Sequence, residues 1–271
     1  MTAITTTASA MPRFTPQQIA LAATAVMLAP LLPTALAAAV DPRLFNGADP
    51  FLKPLHFQLS LAVHFITLAI LMPLVSQSWQ EARLLRWPLL AAAFSAPMEV
   101  IYITLQAARG QASHFNQDTA LAGALYGLMG IGSLTLIAAS AIIGFAIWRS
   151  IPRSRSSSFK QGAILGLILG SATTLVVAGY MSSGQSHLVG GPQTDAYGLP
   201  FLGWSARSGD LRVPHFFATH MMQALPLAGL AADRLGLRSA TWLMPSLAAL
   251  YLVATLALFG EALLGIPLIR Y

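Results

Sequence analysis

The chain of 271 residues is 56% hydrophobic and only 9% charged, whereas a soluble domain carries about 25% charged residues, so an ordinary water-soluble globule is excluded. Its net charge of +6 is scattered between apolar stretches, with no basic run interleaved with aromatics, which argues against a nucleic-acid partner and for membrane topology as its cause. The absence of cysteine excludes disulfides, thiolate metal sites, iron–sulfur clusters and thioether-attached haem, leaving nitrogen, oxygen or Met sulfur for any redox centre.

A helix needs roughly 20 mostly apolar residues to cross about 30 Å of hydrocarbon. Seven stretches qualify in chain order: 17–40, 54–76, 84–107, 119–148, 161–183, 213–232 and 240–269. They are too long and too continuous for barrel strands, which alternate over about 10 residues. The expected fold is all-α, a single transmembrane helical bundle of about seven helices. The first stretch also has the polar start, apolar core and small-residue end of a signal peptide. Its apolar run exceeds the usual h-region of about 7 to 15 residues, which favours an uncleaved helix kinked at Pro30 and Pro33.

Lys and Arg are retained on the cytoplasmic side of a membrane. With a cytoplasmic N-terminus, inner segments hold Arg13, Arg83, Arg86, Arg149, Arg153, Arg155, Lys160, Arg234 and Arg238, against Arg43, Lys53, Arg109, Arg207, Arg212 and Arg270 outside. That excess sets the expected orientation. The Ser-rich loop from Arg149 to Lys160 carries four of these cations and no anion, which suits contact with phospholipid headgroups. Gly162, Gly166 and Gly170 recur every four residues, as do Gly123 and Gly127, a spacing that lets helix backbones approach closely. No internal repeat supports an inverted-repeat transporter architecture.

Polar residues inside the spans carry the functional argument. His56 and His64 lie about 12 Å apart along the second span, and His215 and His220 about 7.5 Å apart along the sixth, at 1.5 Å per residue. Both spans run inward from the same side, so His64 and His220 fall at similar depth. They form the leading pair for a bis-imidazole haem b, with His56 and either His215 or His220 as the other pairing. One haem fits these separations and two do not. At 100° per residue His220 is turned about 140° from His215, so those two do not serve one centre together.

Glu99 and Glu261 are the acidic residues placed well inside spans, and ionisable groups there usually face a cavity, partner or pathway. Both are candidate catalytic or proton-handling residues; the bland alternative is a protonated carboxyl hydrogen-bonded in the bundle. Glu99 with His64 and His220 is also a candidate set for a single iron, copper or zinc ion with one position open. Met221 and Met222 read as core filler rather than copper ligands. The loop 184–212 is rich in Gly and Pro, holds Tyr197, Phe201 and Trp204, and is expected to form a lid over an outward-facing cavity. The loop from Arg109 to Thr119 adds His114, Asn116, Gln117 and Asp118, with Asp118 or Thr119 capping the next helix.

There is no G-x-S-x-G, H-E-x-x-H, P-loop or dinucleotide fingerprint, and the last span has no Lys for a retinal Schiff base. The segments Gly209–Gly229 (GDLRVPHFFATHMMQALPLAG) and Ser113–Gly130 (SHFNQDTALAGALYGLMG) resemble an uncharacterised group of bacterial multi-spanning membrane proteins. The resemblance implies a bacterial inner-membrane setting and no particular activity. The residues alone point first to a haem-b or metal-binding redox protein exchanging electrons with a quinone or a periplasmic partner. A proton-coupled carrier using Glu99 and Glu261, and an assembly factor or subunit of an oligomeric membrane complex, are the other expectations.

Overall fold

The computed structural model describes residues 14–150, 157–237 and 242–270. Arg13, Arg153, Arg155 and Arg238, four of the cations that set the expected orientation, lie outside the described residues.

The first described helix is α1 (Pro16–Leu28), capped by Thr15, whose hydroxyl accepts from the Gln18 amide while the Gln18 side chain accepts from the Thr15 amide. That reciprocal pair satisfies two amides that a helix start leaves orphaned. The expected kink is a full break: α2 (Leu31–Val40) starts anew after Pro30. Thr34 donates to the Pro30 carbonyl at 2.8 Å and accepts from Gln58 at 2.9 Å, so α3 (Leu52–Leu71) braces the break. A 3-10 turn (Met72–Leu74) and the short α4 (Gln77–Glu81) lead into α5 (Arg83–Arg109). Gly110 ends α5 in the left-handed region at φ 64°, where its missing Cβ costs nothing.

Next come α6 (Ala120–Ser150) and α7 (Ser158–Ser183), then a long connection with a two-residue antiparallel pair, β1 (Leu188–Val189) and β2 (Gly209–Asp210). The chain closes with α8 (Arg212–Arg234) and α9 (Leu243–Leu263). Among the described residues, six segments are long and apolar enough to cross a bilayer: Pro16–Val40, Leu52–Leu74, Arg83–Arg109, Ala120–Ser150, Ser158–Ser183 and Leu243–Leu263. This is the make-up of a multi-pass membrane protein built as a helical bundle. The sixth expected span, α8, is long enough at 23 residues but more polar than these six, because Arg212, His215, Thr219, His220 and Gln223 share it.

The main core lies between α1, α3, α5 and α6, where Phe65, Leu68, Leu71, Met72, Leu85, Leu89 and Ile143 are fully buried. On the other side α8 is pressed onto α7. A Cβ on Gly166 would sit 2.7 Å from the Met221 carbonyl oxygen, one on Gly170 3.2 Å from that of Ala218, and one on Gly162 would overlap the Leu225 carbonyl. The expected close approach along α7 is therefore real. Gly123 and Gly127 behave differently: a Cβ at either would meet nothing within 4 Å.

Asp233, near the end of α8, accepts from the Ser158 and Phe159 amides at 3.0 and 3.2 Å and so pins the start of α7. The consequence for function is an uneven ring. α3 packs on α1, α2 and α5, and α8 packs on α7 and α9, with α6 linking the two groups through α5 and α7. The backbones of α3 and α8 stay apart, and side chains join them.

Candidate functional site

Lys53, Ser60, His64 and Thr67 are spaced i, i+7, i+11 and i+14 along α3, and Arg212, His215, Thr219 and Gln223 are spaced i, i+3, i+7 and i+11 along α8. At 100° per residue each set stays within about 60° of one line, so each helix carries one polar stripe. Both helices start at the end of the bundle that bears the long loop, so the stripes run side by side.

The contacts between them follow in order of depth. Lys53 and His56 lie within electrostatic reach of Arg212. His64 and His220 are neighbours one level down. Gln223 then closes the row: its amide donates to Thr67 at 3.0 Å and its carbonyl oxygen meets Nδ1 of His220 at 3.2 Å. From Lys53 to Thr67 the seam descends about 21 Å at 1.5 Å per residue, well into hydrocarbon depth. His64 Nε2 shares a hydrogen bond of 3.1 Å with Ser140 on α6, which forms the back wall. His220 stacks on Phe216 at 4.2 Å, while Nδ1 of His215 is buried without a partner among the described residues.

Glu99 occupies a second polar position, behind the mouth of the seam. It is 6% exposed, and its Oε1 lies 3.7 Å from Nε2 of His114. That is an ion-pair distance and too long for a hydrogen bond. His114 is held from its other side by Ser113 at Nδ1, 3.2 Å, and by rings of Phe57 and Tyr126 at 5.3 and 5.8 Å. Burial, reinforced by the nearby Lys53 and His187, pushes the His114 imidazole well below its ordinary pKa. The Lys53 ammonium faces Glu99 and Asp195 electrostatically, yet among the described residues no hydrogen bond or ion pair reaches it.

Above the mouth the long loop is tied down at Asp195. Its carboxylate accepts from Asn46 at 2.9 Å, from His187 at 3.1 Å and from Arg212 at 3.1 Å. Its own amide and the Thr194 hydroxyl both donate to the Asn46 carbonyl. Asn46 turns with φ 52° and Gly47 with φ 85°, and a Cβ on Gly47 would meet the Ala196 side chain at 2.6 Å. Burial opposes charge on Asp195, but the His187 bond and the Arg212 charge, helped by Asn46, win and hold its pKa at about 2.

Asp210 anchors the other end of the loop. It is 2% exposed and accepts from the Ser205 and Arg212 amides and from two guanidinium nitrogens of Arg212, the shortest at 2.7 Å. Arg212 also donates to the Gly203 carbonyl. All three directions of this guanidinium are used structurally, which satisfies the buried charges on both sides. The Phe201 backbone rests on His56, and Trp204 packs on Phe216 at 5.3 Å. The loop thus covers the seam, as a lid would.

Of the residues expected from sequence, His64 and His220 come together, with His56 and His215 nearer the mouth. Glu99 does not join them as a ligand, since its neighbour is His114. Among the described residues no three His, Cys, Asp or Glu side chains form a group that could hold a metal ion. Glu261 sits apart and exposed, near the end of α9, beside Asp210, Val213 and Leu258. Sequence reasoning passed over Lys53 and the pairing of His114 with Glu99. The i, i+7, i+11 spacing of Lys53 with His64 was available as a signal; nothing local pairs Glu99 with His114. No family model, curated protein or solved structure matches the chain.

Proposed function

We propose that this protein is a proton-coupled carrier of the bacterial inner membrane, with a cytoplasmic N-terminus, in which the α3–α8 seam holds the substrate and Glu99 handles the proton. The observation that carries this reading is the buried Glu99 carboxyl, 3.7 Å from His114 and facing the Lys53 ammonium. Carboxylates and imidazoles in series inside a membrane bundle are the usual parts of a proton relay. Gain or loss of the Glu99 proton changes its attraction for Lys53 at the mouth, which couples protonation to whatever Lys53 binds. Glu261, exposed on another wall, has no part in this scheme.

The test uses purified protein in proteoliposomes carrying an imposed pH gradient, exposed to a total cell extract as substrate source. Wild-type vesicles are expected to dissipate the gradient faster than empty ones, and Glu99→Gln vesicles to behave as empty ones. Equal rates for wild type and Glu99→Gln would overturn the assignment.

A second reading has one specific observation in its favour. Gln223 holds Nδ1 of His220, the kind of support that orients a metal-ligating imidazole and leaves Nε2 for the metal. His64 and His220 would then hold a haem b that exchanges electrons with a quinone or a periplasmic partner, once His64 released Ser140. A Soret band lost in His220→Ala supports this reading, and a colourless preparation from haem-replete cells refutes it.

A further inference from the structure

Resting on the carrier reading, we propose that the substrate of the seam is a lipid-like amphiphile with an anionic head, which enters sideways from the bilayer between α3 and α8. The first ground is where the seam opens. The α3 stripe borders the face that carries Leu59, Val63 and Ile70, which are 48%, 39% and 61% exposed. On α8 the stripe borders Phe216 and Leu227, 38% and 63% exposed. Lys53 and Ser60 are themselves exposed. α3 packs on α1, α2 and α5, and α8 on α7 and α9, and among the described residues no helix is packed against both. The seam therefore borders lipid-facing residues from Leu59 to Ile70 on α3 and from Phe216 to Leu227 on α8, with its own mouth exposed at Lys53 and Ser60.

The second ground is chemical. Most groups of the row satisfy one another, as His64 with Ser140 and Gln223 with Thr67 and His220, but Nδ1 of His215 is buried without a partner among the described residues and no hydrogen bond or ion pair there reaches Lys53, a cost that bilayer residues normally avoid. A molecule whose head lies in the seam and whose tail lies along Leu59, Val63, Phe216 and Leu227 satisfies both surfaces at once. The third ground is charge. The stripes contain Lys53, Arg212, His64 and His215 and no carboxylate, with His56 and His220 beside them; Arg212 is occupied by Asp195 and Asp210, and Glu99 lies behind the mouth near His114. Lys53 is the cation left to meet a phosphate or carboxylate head.

The test is photo-cross-linking of the full-length protein in vesicles doped with a phosphatidic-acid analogue bearing a diazirine on one acyl chain. A fatty acid and a neutral diacylglycerol with the same labelled chain run in parallel. The expected result is labelling of α3 around 59–67 and of α8 around 216–227 by the anionic probes in preference to the neutral one. Which anionic probe labels more strongly distinguishes a phospholipid from a free fatty acid as the source. Lys53→Gln, which keeps a polar side chain of similar length where no hydrogen bond or ion pair reaches the ammonium among the described residues, is expected to cut anionic labelling by about tenfold, the effect of losing one charge-assisted contact. Ser60→Trp is expected to block all three probes.

Labelling no stronger than on the exposed Leu250 and Val253 of α9, equal use of neutral and anionic probes, or indifference to Lys53→Gln would overturn the proposal. So would a cross-link between two copies of the chain through these same segments. None of these outcomes depends on Glu99, so the carrier reading stands or falls separately on its pH-gradient assay.

Discussion

Asp195→Asn removes the charge that fastens the lid while keeping the shape of the side chain. The wild-type carboxylate receives Asn46, His187 and Arg212, and its pKa falls from 3.8 to about 2. With one pKa unit equal to about 1.4 kcal/mol, that depression corresponds to roughly 2 kcal/mol of preference for the charged form in the closed lid. The side chain is 20% exposed, so solvent screening reduces this only in part.

Hydrogen exchange on the backbone amides of 186–211 and 44–49 reads the lid directly. At neutral pH the variant is expected to lose up to about 30-fold of protection there, with the helices unchanged. A depressed carboxylate pKa gives stability that is present above the ordinary value and disappears as pH falls through the depressed one. Wild-type lid protection should therefore decline below pH 3.8 towards 2, and the variant should show no such decline. Equal protection in the two proteins at neutral pH would refute the latch.

Three further outcomes are expected. Gly166→Ala should destabilise the bundle by about 1–3 kcal/mol in thermal unfolding, because its Cβ meets the Met221 carbonyl, whereas Gly127→Ala in open space should be neutral or slightly stabilising. The His114 imidazole is depressed from 6.5, so folding keeps it neutral while the unfolded chain takes up a proton. Stability should fall as pH drops below 6.5, and His114→Asn should flatten that slope in a melting series. Because the chain has no cysteine, the pair Thr67→Cys and Gln223→Cys can be bridged by a short bifunctional thiol reagent, and failure to bridge would contradict the facing stripes.

The membrane-crossing architecture was legible because it depends on runs of apolar residues, and the break at Pro30 and the glycine contacts of α7 because they depend on single residues at fixed spacing. The seam was half legible. His64 and His220 were matched by depth, but the full run of the stripe on α8, from Arg212 through Thr219 to Gln223, which sets it apart from the six most apolar helices, was not drawn together. Depth also led Glu99 towards His64 and His220, whereas the fold brings His114 over it from a loop. The latch joins Asn46 to Asp195 across 149 positions, and pairings of that kind depend on how loops settle once the helices have packed. Gly123 and Gly127 show the limit of spacing alone: the pattern permits close approach, and no neighbouring helix makes it.

Infrared titration of the Glu99 carboxyl in reconstituted membranes reads the proton on which the carrier mechanism depends. A protonated-carboxyl carbonyl band is expected that grows as pH is lowered, vanishes in Glu99→Gln and titrates at a different pH in Lys53→Gln. A spectrum unchanged by Glu99→Gln would show that this carboxyl does not exchange a proton, and would contradict the coupling on which the proposed function stands.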